Sequence, residues 1–497
     1  MRAVVARLKG APVETGACSG GEGRCGQMGL TSSVGARARW SGTEISERLR
    51  VVRVARQRMA ARTEEFAAAI SPKLARTKAD TLVTELLPLL DACRFLESEA
   101  KQILAPRKLG RQGRPIWLRG VSAEIYREPV GHVLVIGPSN FPLFLPGVQV
   151  IQALVAGNSV TWKPGAGGGA VARLVADVLR ESGLPAGVLH VTDESVEAAR
   201  AALDEIPEKV VFTGSAESGR SVLAKLAESS TPAVLELSGA DAVIVTPSAD
   251  LHRVAKVIAF GLRLNGGAVC MSPRRLFAER STMAALRPLL ERELAGVPAV
   301  VLDSKTMVRL RGMVQDAVDA GAIVRGAIEP EAQRPLLIDH AKAEMNIACS
   351  DVFAPVMSLI EVDSMLRVPE VYASCPYALT VSIFCADGEE KKARALARTL
   401  KAGTVLINDI IAPTADPRVP FGGRGASGYG VTRGAEGLLE MTAVKAVLVR
   451  RGGAMRHLDA TSDKDSKTFA ALIGVLHGKG VGARWAALRW LMTTVRH

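Results

Sequence analysis

The sequence predicts an α/β fold made of a doubly wound parallel sheet, a second α/β unit and a small β-hairpin. Between residues 130 and 227, short apolar runs alternate with amphipathic helical patterns, which is typical of a doubly wound sheet. A similar alternation begins near residue 234. Aromatic residues are only 4% of the chain, whereas Ala, Val, Leu and Gly are plentiful, which favours helices packed on parallel strands. A chain of 497 residues exceeds one ordinary core and predicts two or three domains.

The elements that precede the first sheet are predicted to be helical. Residues 43–70 and 81–104 place apolar side chains at three- and four-residue spacings, which indicates amphipathic helices. Residues 114–131 contain short β-like runs around a glycine turn, and these runs predict the hairpin.

The first sheet is predicted from apolar strands that are each followed by a helical pattern. They lie within residues 130–138, 159–165, 188–192 and 209–215. Since ligands of such sheets bind beyond the carboxyl ends of the strands, a site is expected at the loops GPSNFP, WKPGAGGG and FTGSAESG.

The second unit is predicted to contain a bend that carries Cys270, between a helix at 251–267 and a strand at 274–279. Further helical patterns and strands complete the unit. The helices are expected at 282–296 and 306–321, and the strands at 234–245, 355–362, 380–387 and 403–409.

Composition argues against several classes of protein. Most of the formal net charge of +13 lies in residues 1–42 and 451–497, so the high pI does not indicate a nucleic-acid partner. Seven irregularly spaced cysteines argue against a disulfide framework and fit a reducing cytoplasm. No apolar run reaches the roughly 18 residues of a membrane span. Residues 1–42, predicted to be a flexible basic arm, lack the apolar core of a secretory signal.

The tail 451–497 mixes Trp485 and Trp490 with Arg484 and Arg489. One interpretation is a basic amphipathic helix that rests on an anionic membrane surface. The other interpretation, which we favour, is a helix that packs on the body of the protein or on a partner subunit.

Two residues are candidates for covalent chemistry and proton transfer. Glu236 lies in the apolar run AVLELSG, where burial would raise its pKa towards that of a useful base; the alternative is a strand-end carboxylate in solvent. Cys270 follows Gly266 and Gly267, and backbone amides or a helix N-terminus near it would lower the pKa of its thiol. The alternative for Cys270 is a buried, inert cysteine.

The predicted loops carry further candidates. Asn140 follows the first strand and could donate to an oxyanion, or it could serve only in a turn. Lys163 ends the second strand and could reach a ribose or a phosphate, or it could be solvated. Gly214, Ser215 and Gly219 could present amides to a phosphate, or they could form a tight turn with Ser215 as N-cap. The sequence has no HExxH, CxxC or GxSxG motif, so neither a metal site nor a serine nucleophile is predicted.

Taken in chain order, GPSNFP, WKPG, FTGS, LELSG, NGGAVC, DVFAPV and PFGGRGASGYG resemble the aldehyde dehydrogenase superfamily of NAD(P)+-dependent enzymes. The resemblance covers about residues 45–450. It implies a cofactor-binding domain, a catalytic domain and an oligomerisation element. The corresponding ranges are 43–235 for NAD(P) binding with the hairpin 114–131 for oligomerisation, 236–428 for catalysis and 429–450 for a return segment.

The resemblance implies a role for each candidate. Cys270 would be the nucleophile, Glu236 the base that activates water, and Asn140 an oxyanion donor. The cofactor would be held by Lys163, Gly214, Ser215, Gly219, Asp351 and Phe353.

Several positions depart from the family pattern. Ala166 stands where relatives carry a Glu that holds the adenosine 2′-hydroxyl, so NADP should be tolerated or preferred. Asp351 replaces a Glu, Ala268 a Gln, Ala354 a Gly and Ser139 an aromatic residue.

The implied function is oxidation of an aldehyde to a carboxylic acid, with NAD or NADP as cofactor, through a thiohemiacetal and a thioester on Cys270. The resemblance also implies a homodimer or homotetramer. One alternative is a CoA-acylating relative, against which the retained Glu236 argues. The other is an inactive scaffold, against which the joint retention of Cys270, Glu236 and Asn140 argues.

Overall fold

The computed structural model describes residues 35–74, 76–452 and 456–494. Its strands and helices are numbered in chain order. The strands are β1 Arg107–Leu109, β2 Val121–Pro129, β3 His132–Ile136, β4 Ser159–Lys163, β5 Leu189–Val191, β6 Lys209–Gly214, β7 Ala233–Leu237, β8 Asp241–Val245, β9 Pro273–Glu279, β10 Ile323–Arg325, β11 Leu336–Asp339, β12 Val356–Val362, β13 Tyr377–Ala378, β14 Thr380–Phe384, β15 Thr404–Ile407, β16 Arg424–Gly425, β17 Gly428–Tyr429 and β18 Thr442–Arg450. The helices are α1 Ile45–Ala61, α2 Thr63–Ala69, α3 Lys78–Thr81, α4 Leu87–Ile103, α5 Phe144–Ala156, α6 Gly169–Glu181, α7 Val196–Asp204, α8 Ala216–Ala227, α9 Leu251–Arg263, α10 Arg280–Ala295, α11 Ser304–Asp319, α12 Val368–Tyr372, α13 Glu390–Ala397, α14 Gly434–Glu440, α15 Asp463–His477 and α16 Gly480–Thr494.

The described residues divide into two compact units. One unit consists of residues 35–106 and 126–445, and the other consists of residues 107–125 and 446–494.

The first sheet has the strand order β17-β7-β6-β3-β4-β5. Strands β3 to β7 pair in parallel, and only the short edge strand β17 is antiparallel to β7. Side chains alternate between two apolar layers: Val133 and Val135 of β3 join the core that contains α1, α4, α5 and α6, while Leu134 and Ile136 join the smaller core under α7 and α8. This arrangement explains why β3 and β4 are buried along their whole length.

The second sheet has the order β10-β11-β12-β9-β8-β14-β15 and is parallel except at the edge strand β10. Helices again cover both faces, with α11 on one side and α9 and α10 on the other. The predicted run 234–245 is two strands, β7 and β8, which belong to different sheets. The predicted α/β fold with parallel sheets is therefore confirmed.

The predicted hairpin at 114–131 is wrong in its first half. Strand β2 pairs with β1, which lies before that range, and Ile116–Leu118 form a 3-10 turn. Pro115 has no amide hydrogen to contribute to a ladder, and Gly120 has a φ of 95°, so the chain turns here and does not extend. Strands β1, β2 and β18 form a three-stranded sheet in that order.

The predicted arm 1–42 is also too long. Residues 35–41 are helical, and Trp40 is buried and donates from Nε1 to the Leu154 carbonyl over 3.1 Å. Residues 1–34 lie outside the described part of the chain.

The tail is two helices and not the single helix of the membrane interpretation. Helices α15 and α16 are separated at Gly478, whose carbonyl accepts from Nε of Arg484 over 2.9 Å. At Gly474 a Cβ atom would lie 2.8 Å from Cβ of Ala487, so the absence of a side chain there allows the two helices to approach closely.

Among the helices that the structure describes, none is long and apolar enough to cross a membrane.

Candidate active site

The first sheet reverses its winding between β3 and β6, because the chain continues from β3 to β4 and β5 on one side and to β6 and β7 on the other. Such a reversal opens a crevice beyond the carboxyl ends of the strands. A cavity of about 1010 Å³ lies at this place. Six of the nine predicted site residues line it: Asn140, Gly214, Ser215, Glu236, Cys270 and Phe353.

The bend before Cys270 has a left-handed backbone. Asn265, Gly266 and Gly267 have φ values of 50°, 60° and 78°. A Cβ atom on Gly267 would lie 2.8 Å from the amide nitrogen of Pro355, so a side chain has no room there. The glycines of the NGG motif thus allow the chain to bring Cys270 into the cavity.

Asn140 is held against this bend. Its Nδ2 donates to the Ala268 carbonyl over 3.0 Å, and its Oδ1 accepts from the Phe141 amide over 3.0 Å. Nδ2 of Asn265 donates to the same Ala268 carbonyl, also over 3.0 Å. One amide hydrogen of Asn140 remains for a further acceptor, as the predicted oxyanion donor requires.

Cys270 is half-buried and is followed by strand β9, not by a helix N-terminus. Burial raises the pKa of its thiol well above the ordinary value, and the carboxylates of Glu236, Asp241 and Asp351 raise it further. The expectation of a lowered pKa is therefore wrong. The nearby charge that lowers this pKa is the guanidinium of Arg433.

Glu236 is 2% exposed, so the predicted burial is confirmed and the solvent-facing alternative is wrong. It lies in β7 between Thr213 of β6 and Gly428 of β17. Burial raises the pKa of its carboxyl group, although Arg433 and a hydrogen bond from Thr432 lower it in part. Oε2 accepts that bond over 3.3 Å, while Oε1 has no hydrogen-bond partner. A buried carboxylate with one free oxygen is suited to accept a proton.

Lys163 ends β4 as predicted, but it is buried, which rules out the solvated alternative. Burial lowers the pKa of its ammonium group, while Glu194 and Asp193 raise it in part. Sequence reasoning missed Glu194. Its carboxylate accepts from the amides of Gly167 and Gly169 over 2.5 and 2.7 Å, in the loop where Ala166 lacks a carboxylate of its own.

The turn after β6 confirms the N-cap interpretation and also lies on the cavity wall. Ser215 is the N-cap of α8, and its Oγ accepts from the Ser218 amide over 3.1 Å. Gly214 and Ser215 also line the cavity. Gly219 lies outside the lining and packs on β7, because a Cβ atom there would be 2.7 Å from Cδ2 of Leu237.

Asp351 is placed differently from Phe353. The Asp351 carboxylate is buried, accepts from Arg274 over 3.2 Å and accepts from the Phe353 amide over 3.1 Å. Burial raises the pKa of Asp351 to about 6. Phe353 lines the cavity with a φ of 51°. In this arrangement Asp351 supports the Phe353 loop and does not itself line the cavity.

Cys270 and Glu236 also line a second cavity of about 360 Å³. Most of its other lining residues are apolar, among them Phe141, Phe144, Leu145, Phe260, Met271 and Phe421. The Cys270 sulfur and the Glu236 carboxylate therefore face both cavities. The larger cavity has about as many polar as apolar lining residues, and we call it the polar cavity to distinguish it from the apolar one.

Sequence reasoning missed a buried ion pair beneath this site. Arg76 pairs with Glu85 over 2.7 Å, stacks on the Phe141 ring and donates to the Asn140 carbonyl. Glu85 accepts from the Phe144 amide over 2.7 Å. Together these contacts fix the GPSNFP loop. Arg76 lies in the polar stretch RTKAD, which gives no sign of burial, whereas Glu85 lies in the apolar run LVTELLPLL and could have been suspected.

Comparison with known proteins identifies the family of the chain. Residues 30–447 match the Aldehyde dehydrogenase family along their length. The chain belongs to this family. It is 27% identical over 427 residues to 4,4'-diapolycopene aldehyde oxidase of Methylomonas sp, covering 84% of this chain and 80% of that protein.

Solved structures of the family agree with the fold. An aldehyde dehydrogenase of Mycobacterium tuberculosis complexed with NAD+ superposes with a TM-score of 0.78 at 26% identity, covering 85% of this chain and 90% of the other. The NADP-dependent glyceraldehyde-3-phosphate dehydrogenase of Bacillus halodurans complexed with NADP gives 0.77 at 25% identity, covering 85% and 91%. The predicted family and enzyme class, an oxidoreductase acting on the aldehyde group, are confirmed.

Proposed function

We propose that this aldehyde dehydrogenase oxidises an aldehyde to a carboxylic acid with NAD+ or NADP+, with Cys270 as nucleophile and Glu236 as base. The observation that carries the proposal is the position of both side chains on two cavities. A substrate in the apolar cavity and a cofactor in the polar cavity would meet at the sulfur.

The thiolate of Cys270 attacks the aldehyde carbonyl carbon and forms a C–S bond, which gives a thiohemiacetal. The Asn140 amide, held at the Cys270 bend by the Ala268 carbonyl, donates to the oxyanion together with the Cys270 backbone N–H. After hydride loss a thioester remains on Cys270. Glu236 then takes a proton from the water that hydrolyses the thioester, and its unpartnered Oε1 supports this role.

The cofactor, when bound, supplies the hydride acceptor. Amides at the N-terminus of α8, with Gly214 and Ser215 on the cavity wall, suit a pyrophosphate. Lys163 would contact the adenosine ribose, and Phe353 would contact the nicotinamide end. Gly219 and Asp351 would act from behind the lining, by packing on β7 and by supporting the Phe353 loop. Relatives solved with NAD+ and with NADP support either cofactor.

An aldehyde panel read by absorbance of NADH and NADPH tests the proposal. We expect turnover with at least one apolar aldehyde, since the substrate-side cavity has a mostly apolar lining. Each assay is run with and without CoA. Acid as the product in both arms supports hydrolysis through Glu236, whereas turnover only with CoA would indicate the acylating alternative. No turnover with any aldehyde would favour the scaffold alternative.

A second copy of the chain is the proposed partner. Strand β18 is an edge of its sheet, and Val447, Leu448 and Val449 are exposed on it, as is Trp117 near β2. An exposed apolar edge strand is a template for pairing with another chain. Leu448→Asp should therefore lower the oligomeric mass measured by light scattering. The same substitution at exposed Leu366, in the 3-10 turn Met365–Arg367, is the control.

The C-terminal hairpin of α15 and α16 exposes apolar and aromatic side chains, among them Phe469, Ile473, Trp485 and Trp490. Two partners fit this surface: an anionic membrane surface, where Trp and basic residues are favoured, or a partner subunit. Co-sedimentation with anionic vesicles, with and without residues 456–497, distinguishes them.

All five described cysteines have free thiols, which supports a location in the reducing cytoplasm whichever partner the C-terminal hairpin binds.

A further inference from the structure

Arg433 has a backbone conformation that favours glycine. Its φ of 62° and ψ of 175° lie in a region that non-glycine residues adopt only with backbone strain. Position 433 carries arginine although its backbone conformation suits glycine, and a glycine, Gly434, is the next residue. Strain of this kind persists only where the surrounding structure enforces it, and it is concentrated at functional sites.

The side chain of Arg433 is buried in the wall of the apolar cavity. Its guanidinium lies 4.4 Å from the centre of the Phe421 ring and 5.5 Å from that of Phe144. It donates to the Thr414 carbonyl, while Nε has no hydrogen-bond partner. The contacts hold the cation in place without neutralising its charge.

No carboxylate oxygen of the described residues lies within 4.0 Å of a guanidinium nitrogen of Arg433, so Arg433 has no ion pair among them. Its electrostatic partners are Glu236 and Cys270, which raise the pKa of the guanidinium against the larger lowering by burial. The hydroxyl of Thr432, the residue before Arg433, donates a hydrogen bond to Glu236. The isolated cation is thus balanced by the two groups to which the proposed function assigns the chemistry.

The other charged groups around Cys270 are already engaged. Asp351 is paired with Arg274, and Asp241 accepts from the Thr380 amide over 3.0 Å. Arg274, the second cation near the sulfur, is therefore offset by Asp351. Of the two buried cations whose charge acts on Cys270, Arg274 is paired with Asp351, whereas Arg433 has no ion pair with a carboxylate of the described residues.

We propose that Arg433 is the counter-ion that stabilises the thiolate of Cys270 and the carboxylate of Glu236 from the wall of the substrate cavity. It is a positioning residue that acts through those two side chains. The inference rests on the proposed function for its catalytic consequence, but the charge effect on the sulfur is measurable without any reaction of the enzyme.

The test is the pH dependence of Cys270 alkylation by iodoacetamide, followed by mass spectrometry of the Cys270 peptide without aldehyde or cofactor. Two neutral variants have opposite structural consequences. Arg433→Gln keeps a donor for the Thr414 carbonyl but also the strained backbone, whereas Arg433→Gly relieves the strain and leaves space. Arg433→Lys keeps the charge. Arg418→Gln, at an exposed arginine of the preceding loop, is the matched control.

Both neutral variants should shift the alkylation profile to higher pH and slow alkylation at pH 8 about tenfold, which corresponds to about one pH unit. Arg433→Lys and the control should stay within about threefold of the wild type. Unchanged profiles in the neutral variants, with altered melting temperature alone, would show that Arg433 serves only to hold the 412–421 loop. If one neutral variant does not fold, the other decides.

The enzymatic readout separates this inference from the proposed function. The neutral variants should lose more of kcat/KM at pH 7 than at pH 9, with Arg433→Lys partly restoring the loss at pH 7. Shifted alkylation in a protein without aldehyde turnover would leave the counter-ion role standing and remove the proposed function. Normal turnover with unshifted alkylation would do the reverse.

Discussion

Two buried carboxylates of this protein have opposite surroundings. Asp339, at the end of β11, accepts from Arg287 over 2.9 Å and from Arg325 over 2.8 Å. Glu236, the penultimate residue of β7, has one weak hydrogen bond and no ion pair within the described residues. Burial raises the pKa of both, but at Asp339 the two arginines outweigh it and the pKa is lowered, whereas at Glu236 the raised pKa remains. Breaking a buried ion pair leaves an uncompensated charge and destabilises the fold, whereas a buried charge without an ion pair is available for chemistry.

The largest expected effect comes from removing the sulfur at the unpaired site. Cys270→Ser should lower the rate of NAD(P)H formation from a good aldehyde at least about 1000-fold, because a hydroxyl is a far weaker nucleophile than a thiolate. The matched control is Cys349→Ser. Cys349 is also half-buried, but it donates to the Ala343 carbonyl over 3.0 Å and lines neither cavity. Equal losses in the two variants, or none in Cys270→Ser, would remove the nucleophile assignment.

Removing the proton acceptor should change the shape of the time course. Glu236→Gln should give a burst of about one NAD(P)H per active site and then stall, since acylation needs no base at this position and hydrolysis does. Stopped-flow absorbance measures the burst. In the wild type, hydrolysis should rise with pH through the raised pKa of Glu236, above the ordinary range of a glutamate. Steady turnover at the native rate in Glu236→Gln would contradict the role.

The sequence allowed us to predict the site residues that differ from their own segments, but not those whose contacts depend on the fold. Glu236 and Cys270 could be found because each is an exception to its own segment, a carboxylate in an apolar strand and a thiol after two glycines. Parallel strands with two apolar faces were equally visible. Arg433 and Glu194 could not be found, since each lies in a loop before a helix, where a charged residue is common, and its contact with the Phe421 ring or the Gly167 amide depends on the folded chain. The break at Gly478 also depends on how two helices pack.

A smaller effect is expected at the paired carboxylate, on stability and not on turnover. Asp339→Asn leaves Arg287 and Arg325 without their shared anion and should cost about 3 kcal/mol of the free energy of unfolding. Urea unfolding measures this loss. Since Arg287 is also held by Glu361, Glu361→Gln provides a milder neighbour for comparison. Activity per folded molecule should stay unchanged; a loss of kcat without a loss of stability would contradict the structural role.

The pH dependence of stability sharpens this prediction. A carboxyl whose pKa is lower in the folded than in the unfolded state stabilises the fold above its unfolded pKa, which is about 3.9 for Asp. That stabilisation is lost as pH falls through the folded pKa. The pKa of Asp339 is lowered in this sense. Asp339→Asn should therefore be less stable than the wild type at pH 7, and the difference should shrink below about pH 4. A constant difference across this range would assign the loss to packing.

The smallest expected effect concerns the cofactor end of the polar cavity. Ala166 is exposed in the loop after β4, next to the Glu194 carboxylate on the Gly167 and Gly169 amides. Ala166→Glu adds a second negative charge and should lower kcat/KM for NADP about tenfold more than for NAD, because a 2′-phosphate is repelled. Ala166→Gln, of equal size without charge, is the control. Glu194→Gln tests the neighbouring charge in the opposite direction and should favour NADP. An equal effect on both cofactors in these variants would place the adenosine ribose away from this loop.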